Sequence, residues 1–260
     1  MKKLFAILMA LVMVLSLMTV SAETVTDKQY VLDKGTLVVG ITDFAPMDYK
    51  DADGNWIGFD ADVAKLFAEY LGVKVEFVEI DWDNKILELD AKAVDCIWNG
   101  MTLTDAVKNA METSNPYMNN AQVVVVPADQ ADKYQTVESL AALTFAVEAG
   151  SAGEAVITDL GLNCTPVTAQ ADALMEVAAF TSDAAVIDAL MAAAMIGEGT
   201  NYANLTYTIG LNSEEYGVGF RKGSDLAAEL NAFLVKAYAD GTLQQVAESY
   251  KVQAALIEQK

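Results

Sequence analysis

Short apolar runs alternate with amphipathic helical stretches along most of this chain, and that alternation fixes the fold class. Residues 36–41, Thr-Leu-Val-Val-Gly-Ile, form a continuous apolar strand, the pattern of a sheet covered on both faces. Val63, Leu66, Phe67, Tyr70 and Leu71 then recur at helical spacing from a start near Asp60, and Gly72 ends that helix. A strand over 73–80, a short helix over 83–89 and a strand over 94–98 follow. Strands joined through helices pair in parallel by right-handed crossovers, so the class is α/β, with sheets flanked by helices.

A second series of the same kind begins after a strand over 122–126 that Pro127 stops. It comprises strands over 143–147, 164–167 and 184–188, with helices over 153–160, 171–179 and 189–196. Later strands cover 205–211 and 216–221, and two helices end the chain. Thr242 and Gln245 predict a capping box at the start of the second of these. Residues 23–33 are polar and read as a lead-in. Before them, Lys2 and Lys3, an apolar run to Val20 and Val20-Ser21-Ala22 match a secretory signal peptide cut after Ala22. No cysteine lies next to that cut, so a lipid anchor is not expected.

Composition removes whole classes of chemistry. The chain has no histidine, which excludes histidine acid–base catalysis and leaves no ordinary zinc site; no cofactor or metal is expected. Cys96 and Cys164 read as unpaired thiols. Losing Lys2 and Lys3 with the leader leaves 14 basic against 37 acidic residues, a poor match for nucleic acid or an anionic membrane.

The stretch Asp95-Cys-Ile-Trp-Asn-Gly-Met-Thr-Leu-Thr104 carries the strongest functional signal. An apolar strand ends at Gly100, and two threonines follow at a helix start, where N–H groups and hydroxyls suit an anion. Together with Gly58-Phe-Asp-Ala-Asp-Val-Ala, Ile80-Asp-Trp-Asp, Ala149-Gly-Ser-Ala-Gly and Glu215-Tyr-Gly-Val-Gly-Phe-Arg-Lys-Gly, it resembles the periplasmic amino-acid-binding proteins of ABC importers. The resemblance covers nearly the whole chain after the leader. It implies a two-lobed periplasmic-binding-protein-like fold, with 23–124 and 212–260 in the first lobe and 125–211 in the second. Two crossover strands, near 123–126 and 208–211, would form the hinge.

The same resemblance assigns a ligand site between the lobes. Phe44 and Trp82 would stack on the ligand from the first lobe. Gly100, Met101 and Thr102 would offer a carbonyl, N–H groups and a hydroxyl. Ser151 and Ala152, with Gly150, would offer N–H groups from the second lobe. Asp188 matches the acid for the ligand ammonium, and Glu148 stands where the family is commonly neutral. The partners implied are a small-molecule ligand, an amino acid or amine with cations favoured, and an ABC permease. The location is periplasmic or secreted, the chain is a monomer, and no enzymatic activity is expected. The alternatives are a sensory or decoy receptor not coupled to transport and a dehydratase-like enzyme on the same fold.

One position departs from the pattern. The arginine that normally grips the ligand carboxylate is replaced by Val107, and the only arginine, Arg221, lies far along the chain. Lys108 is one residue late, about 100° round a helix, and need not reach the site. The carboxylate is then held by N–H groups alone, or by Lys108, or is absent from the ligand. Asp188 and Glu148 without that arginine bias the cleft toward a cationic or amine-bearing solute.

Overall fold

The computed structural model describes residues 25–260; the expected leader lies outside the described residues. The lead-in contains a helix, α1 (Asp27–Lys34). Thr26 caps it by accepting the Gln29 N–H, and Gly35 ends it at φ 71°. These caps outweigh a mostly polar segment whose buried residue is Val31.

Two sheets follow from the two α/β series. The first contains β1 (Thr36–Ile41), β4 (Lys74–Glu79), β5 (Cys96–Thr102), β6 (Glu112–Thr113), β7 (Met118–Asn120) and β13 (Glu214–Phe220). Its order is β4-β1-β5-β13-β6, with β7 also on β13. Between β1 and β4 lie a small hairpin, β2 (Tyr49–Lys50) and β3 (Trp56–Ile57), and helix α2 (Phe59–Leu71). A single 3-10 turn at Trp82–Asn84 leads into α3 (Lys85–Asp90), and α4 (Asp105–Ala110) follows β5.

The second sheet has the order β10-β9-β11-β8-β12. Its strands are β8 (Gln122–Pro127), β9 (Thr144–Glu148), β10 (Asn163–Val167), β11 (Ala184–Asp188) and β12 (Leu205–Gly210). Helices α5 (Ala152–Asp159), α6 (Gln170–Ala178) and α7 (Ala189–Met195) connect them, and α8 (Leu226–Ala239) and α9 (Thr242–Ser249) close the chain. Thr242 is not the cap of α9: Gly241 holds that place at φ 83°, and the Thr242 hydroxyl donates to Asp240 Oδ1 at 2.6 Å. An aspartate two residues back competes successfully for the hydroxyl.

Where helices connect strands, pairing is parallel, as in β1 with β4 and β5. Both sheets are nonetheless mixed. β13 runs antiparallel to β5, and β8 runs antiparallel to β11 and β12. These strands reach their sheets by passing directly from one sheet to the other, without the crossover that forces parallel pairing. The passages are Ala121, between β7 and β8, and residues 211–213, between β12 and β13. The segments 123–126 and 208–211, expected as crossovers, lie almost wholly inside β8 and β12. The passages touch: Leu211 N–H donates to Gln122 O at 2.8 Å and Gln122 N–H to Asn212 Oδ1 at 2.7 Å.

Helix α2 locks the first sheet. Phe59, Val63 and Phe67 are buried, and the Phe67 ring lies 6.2 Å from Trp98 of β5 and 5.6 Å from Phe233 of α8. Each such side chain contributes about 1.5–3 kcal/mol by burial. They hold β5 rigidly, and β5 ends at the site. Cys96 and Cys164 are free thiols. Among the described residues no helix is long and apolar enough to cross a membrane.

Candidate functional site

β5 is buried along all but its last residue, and its C-terminal end makes one wall of the site. Gly100 sits at φ 54°, and a Cβ there would stand 2.4 Å from Phe44 Cε1, so only glycine fits. Its N–H donates to Asp60 Oδ2 at 2.6 Å, an oxygen that also accepts the Tyr117 hydroxyl at 2.7 Å. Burial pushes Asp60 up to about 7. Thr104 then caps α4 by accepting the Val107 N–H at 3.1 Å.

The facing wall comes from the second sheet. β9 ends at Glu148 and β11 at Asp188, both 3% exposed. Ser151 caps α5 by accepting the Glu154 N–H at 3.1 Å, while Glu154 Oε2 accepts the Gly150 N–H at 2.7 Å. A cavity of about 240 Å³ lies between the walls. Phe44, Trp82, Gly100, Met101 and Thr102 line it from the first sheet, and Glu148, Ser151, Ala152 and Asp188 from the second. All nine residues picked out in the sequence therefore meet at one place. Met101 reaches it while its side chain packs beside Gly219 on β13.

Asp188 is the most heavily bonded group there. Its Oδ1 accepts from Tyr216 OH at 2.7 Å, from Gln122 Nε2 at 3.0 Å and from the Asn120 amide; its Oδ2 accepts from the Gln170 amide. Burial, then the neighbouring Glu214 carboxylate, push it up to about 7. Tyr216 and Asn120 belong to the first sheet, so Asp188 ties the sheets together beside the passages. Glu148 is different. Its Oε1 is buried with no hydrogen-bond partner, and burial, then Asp188, push its pKa up to about 8, with Lys85 and Gln170 pulling back.

Lys85 is a candidate site residue that sequence reasoning missed. It lines the cavity at 8% exposure, and its Nζ donates to Trp82 O at 3.1 Å and, across the gap, to Gly150 O at 2.9 Å. The ammonium also lies 4.8 Å from the Trp82 ring centroid. Burial lowers its pKa, while Glu148 and two other acids pull it back. Only its position just after Ile80-Asp-Trp-Asp hinted at this. Lys108 is exposed and does not line the cavity, whereas Val107, 7% exposed, does. Gln170 is the other omission, since its link to Asp188 spans 18 residues and has no local signature.

Arg221 is committed elsewhere. It donates to Asp27 at 2.9 Å and to Val94 O at 2.8 Å, and it pairs with buried Asp95, tying α1 to the start of β5. Among the described residues no group of three or more acidic or cysteine side chains is placed to hold a metal.

Known proteins share this arrangement of sequence. L-cystine-binding protein TcyJ of Escherichia coli (strain K12) is 26% identical over 224 residues, 85% of this chain and 84% of its own length. The solved structure of an ancestral arginine-binding protein bound to arginine superposes with a TM-score of 0.77 at 33% identity, covering 83% of this chain and 98% of that one. A cyclohexadienyl dehydratase of Pseudomonas aeruginosa is 27% identical over 111 residues, 42% of this chain and 41% of its own. The family model for bacterial extracellular solute-binding proteins, family 3, matches residues 37–253. This chain belongs to that family.

Proposed function

We propose that this protein is the solute receptor of an ABC importer, exported by a cleaved leader, and that it captures an amine-bearing solute between its two sheets. The sheets act as lobes, hinged at Ala121 and residues 211–213, and they close over the ligand. The observation that carries this reading is the cavity walled by both sheets, with Glu148 and Asp188 deep in it and no arginine among its lining residues. Phe44 and Trp82 supply apolar surface for the solute body, and the acids supply the field that selects a cation.

The reading is of binding without turnover. A turnover reading would need Glu148 as general acid, yet no histidine exists to partner it, and most of the relatives are binding proteins. Calorimetry with a panel of amino acids and amines tests it. Binding of cationic solutes at micromolar or lower concentration, with the ligand recovered unchanged, is the expected result. Tight binding of glutamate or aspartate alone would overturn it.

A further inference from the structure

We propose that the cleft selects a positively charged solute that carries no carboxylate, an alkylamine, diamine or guanidine, and that Glu148 is the residue that sets this preference. The inference rests on the reading of the cleft as a solute site and narrows it to a chemical class.

The argument is one of donors and acceptors. A ligand carboxylate needs donors, and those nominated for it are largely spoken for within the protein. Gly100 N–H goes to Asp60, the Thr102 hydroxyl to Glu214 at 3.0 Å, Gly150 N–H to Glu154 and Ser151 N–H to Glu148 O at 3.2 Å. The wall between them is apolar, made by Ala106, Val107, Ala152 and Ala155. Lys85 spends two of its three donors on carbonyls, and among the described residues it forms no ion pair with Glu148.

Acceptors stand the other way. Asp188, expected to take the ligand ammonium, already accepts from four protein donors, three on Oδ1 and the Gln170 amide on Oδ2, which leaves it at most one acceptor site, on Oδ2. Glu148 Oε1 has no donor, although it is buried in the wall of the cavity. A buried carboxylate oxygen left without a donor is costly, and a ligand N–H removes that cost. The space beyond points the same way. A recess of about 650 Å³ adjoins the cavity through Thr102, Thr104, Ala106, Ala152 and Ala155. Its charged lining residues are Asp105, Asp159, Glu214 and Glu215, all acidic. A carboxylate would face these acids, whereas the far end of a diamine or guanidine would be drawn to them.

Two matched pairs test this on the full-length protein without its leader: arginine against agmatine, and lysine against cadaverine, each differing by one carboxylate. Calorimetry at pH 8 is expected to find each amine binding no more than threefold weaker than its amino acid, or tighter. Amino acids that bind while their amines lose more than threefold would overturn the inference and leave the receptor reading intact. Binding of none of the four would overturn both. Glu148→Gln keeps the side-chain shape and is expected to weaken agmatine at least tenfold while the melting temperature at pH 8 stays level or rises, since a costly buried carboxylate is removed. Unaltered agmatine affinity in that variant would remove Glu148 from the role even if the amines bind.

Discussion

Raising the pH from 6 to 8 should tighten binding of a cationic solute, and the size of the effect follows from Glu148. Burial holds its carboxyl at about 8, against an ordinary 4.5. A cation bound beside Oε1 favours the ionised form, so the complex holds fewer protons than the free protein. Affinity therefore rises with pH up to about 8 and levels off above it. A group with that pKa is about 1% ionised at pH 6 and about half ionised at pH 8, so affinity grows roughly 50-fold, about 2.3 kcal/mol. Asp188, at about 7, adds to the slope instead of opposing it. Agmatine suits the assay because its guanidinium stays charged throughout. Titration in two buffers of different ionisation enthalpy at pH 7 should register release of close to one proton. An affinity that is flat or falls between pH 6 and 8 would refute the reasoning.

Other perturbations have defined outcomes. Lys85→Met removes the bond to Gly150 O, so the radius of gyration of the unliganded protein in X-ray scattering should rise; an unchanged profile would mean that the lysine does not hold the gap shut. Gly100→Ala forces a side chain into φ 54° against the Phe44 ring, which should cost about 2–4 kcal/mol in urea denaturation; a loss below about 0.5 kcal/mol would contradict the packing described. Arg221→Met strips buried Asp95 of one partner while Lys34 remains at 2.6 Å, so stability should fall by about 3 kcal/mol with ligand affinity unchanged within twofold. The last comparison separates scaffold from site: a large affinity loss would place Arg221 in the binding machinery.

The order of strands and helices was legible because each helix carries its own periodic apolar face and each strand its own apolar run. The candidate site was legible where residues stand at or near the C-terminal ends of strands, as Gly100, Glu148 and Asp188 do. Four things were hidden. Helix α1 depends on Thr26 and Gly35 at its ends more than on an apolar stripe. The antiparallel members of each sheet depend on where the chain passes between sheets, which no local pattern encodes. Lys85 reads as an ordinary surface lysine until the fold brings Gly150, 65 residues later, to its ammonium. Asp188 matches the family's acid at the close of a strand, but its donors come from residues 120, 122, 170 and 216, and only tertiary structure reveals them.

The contact between Lys85 and Gly150 has a kinetic consequence. Under the proposed reading this bond, made by the protein alone, favours a shut population before a solute arrives. Such a population shortens the conformational step a ligand must drive and strengthens apparent affinity accordingly. It also makes entry depend on how often the lysine lets go. Arrival of solute should then reach a ceiling at high concentration, set by the rate at which one ammonium leaves one carbonyl.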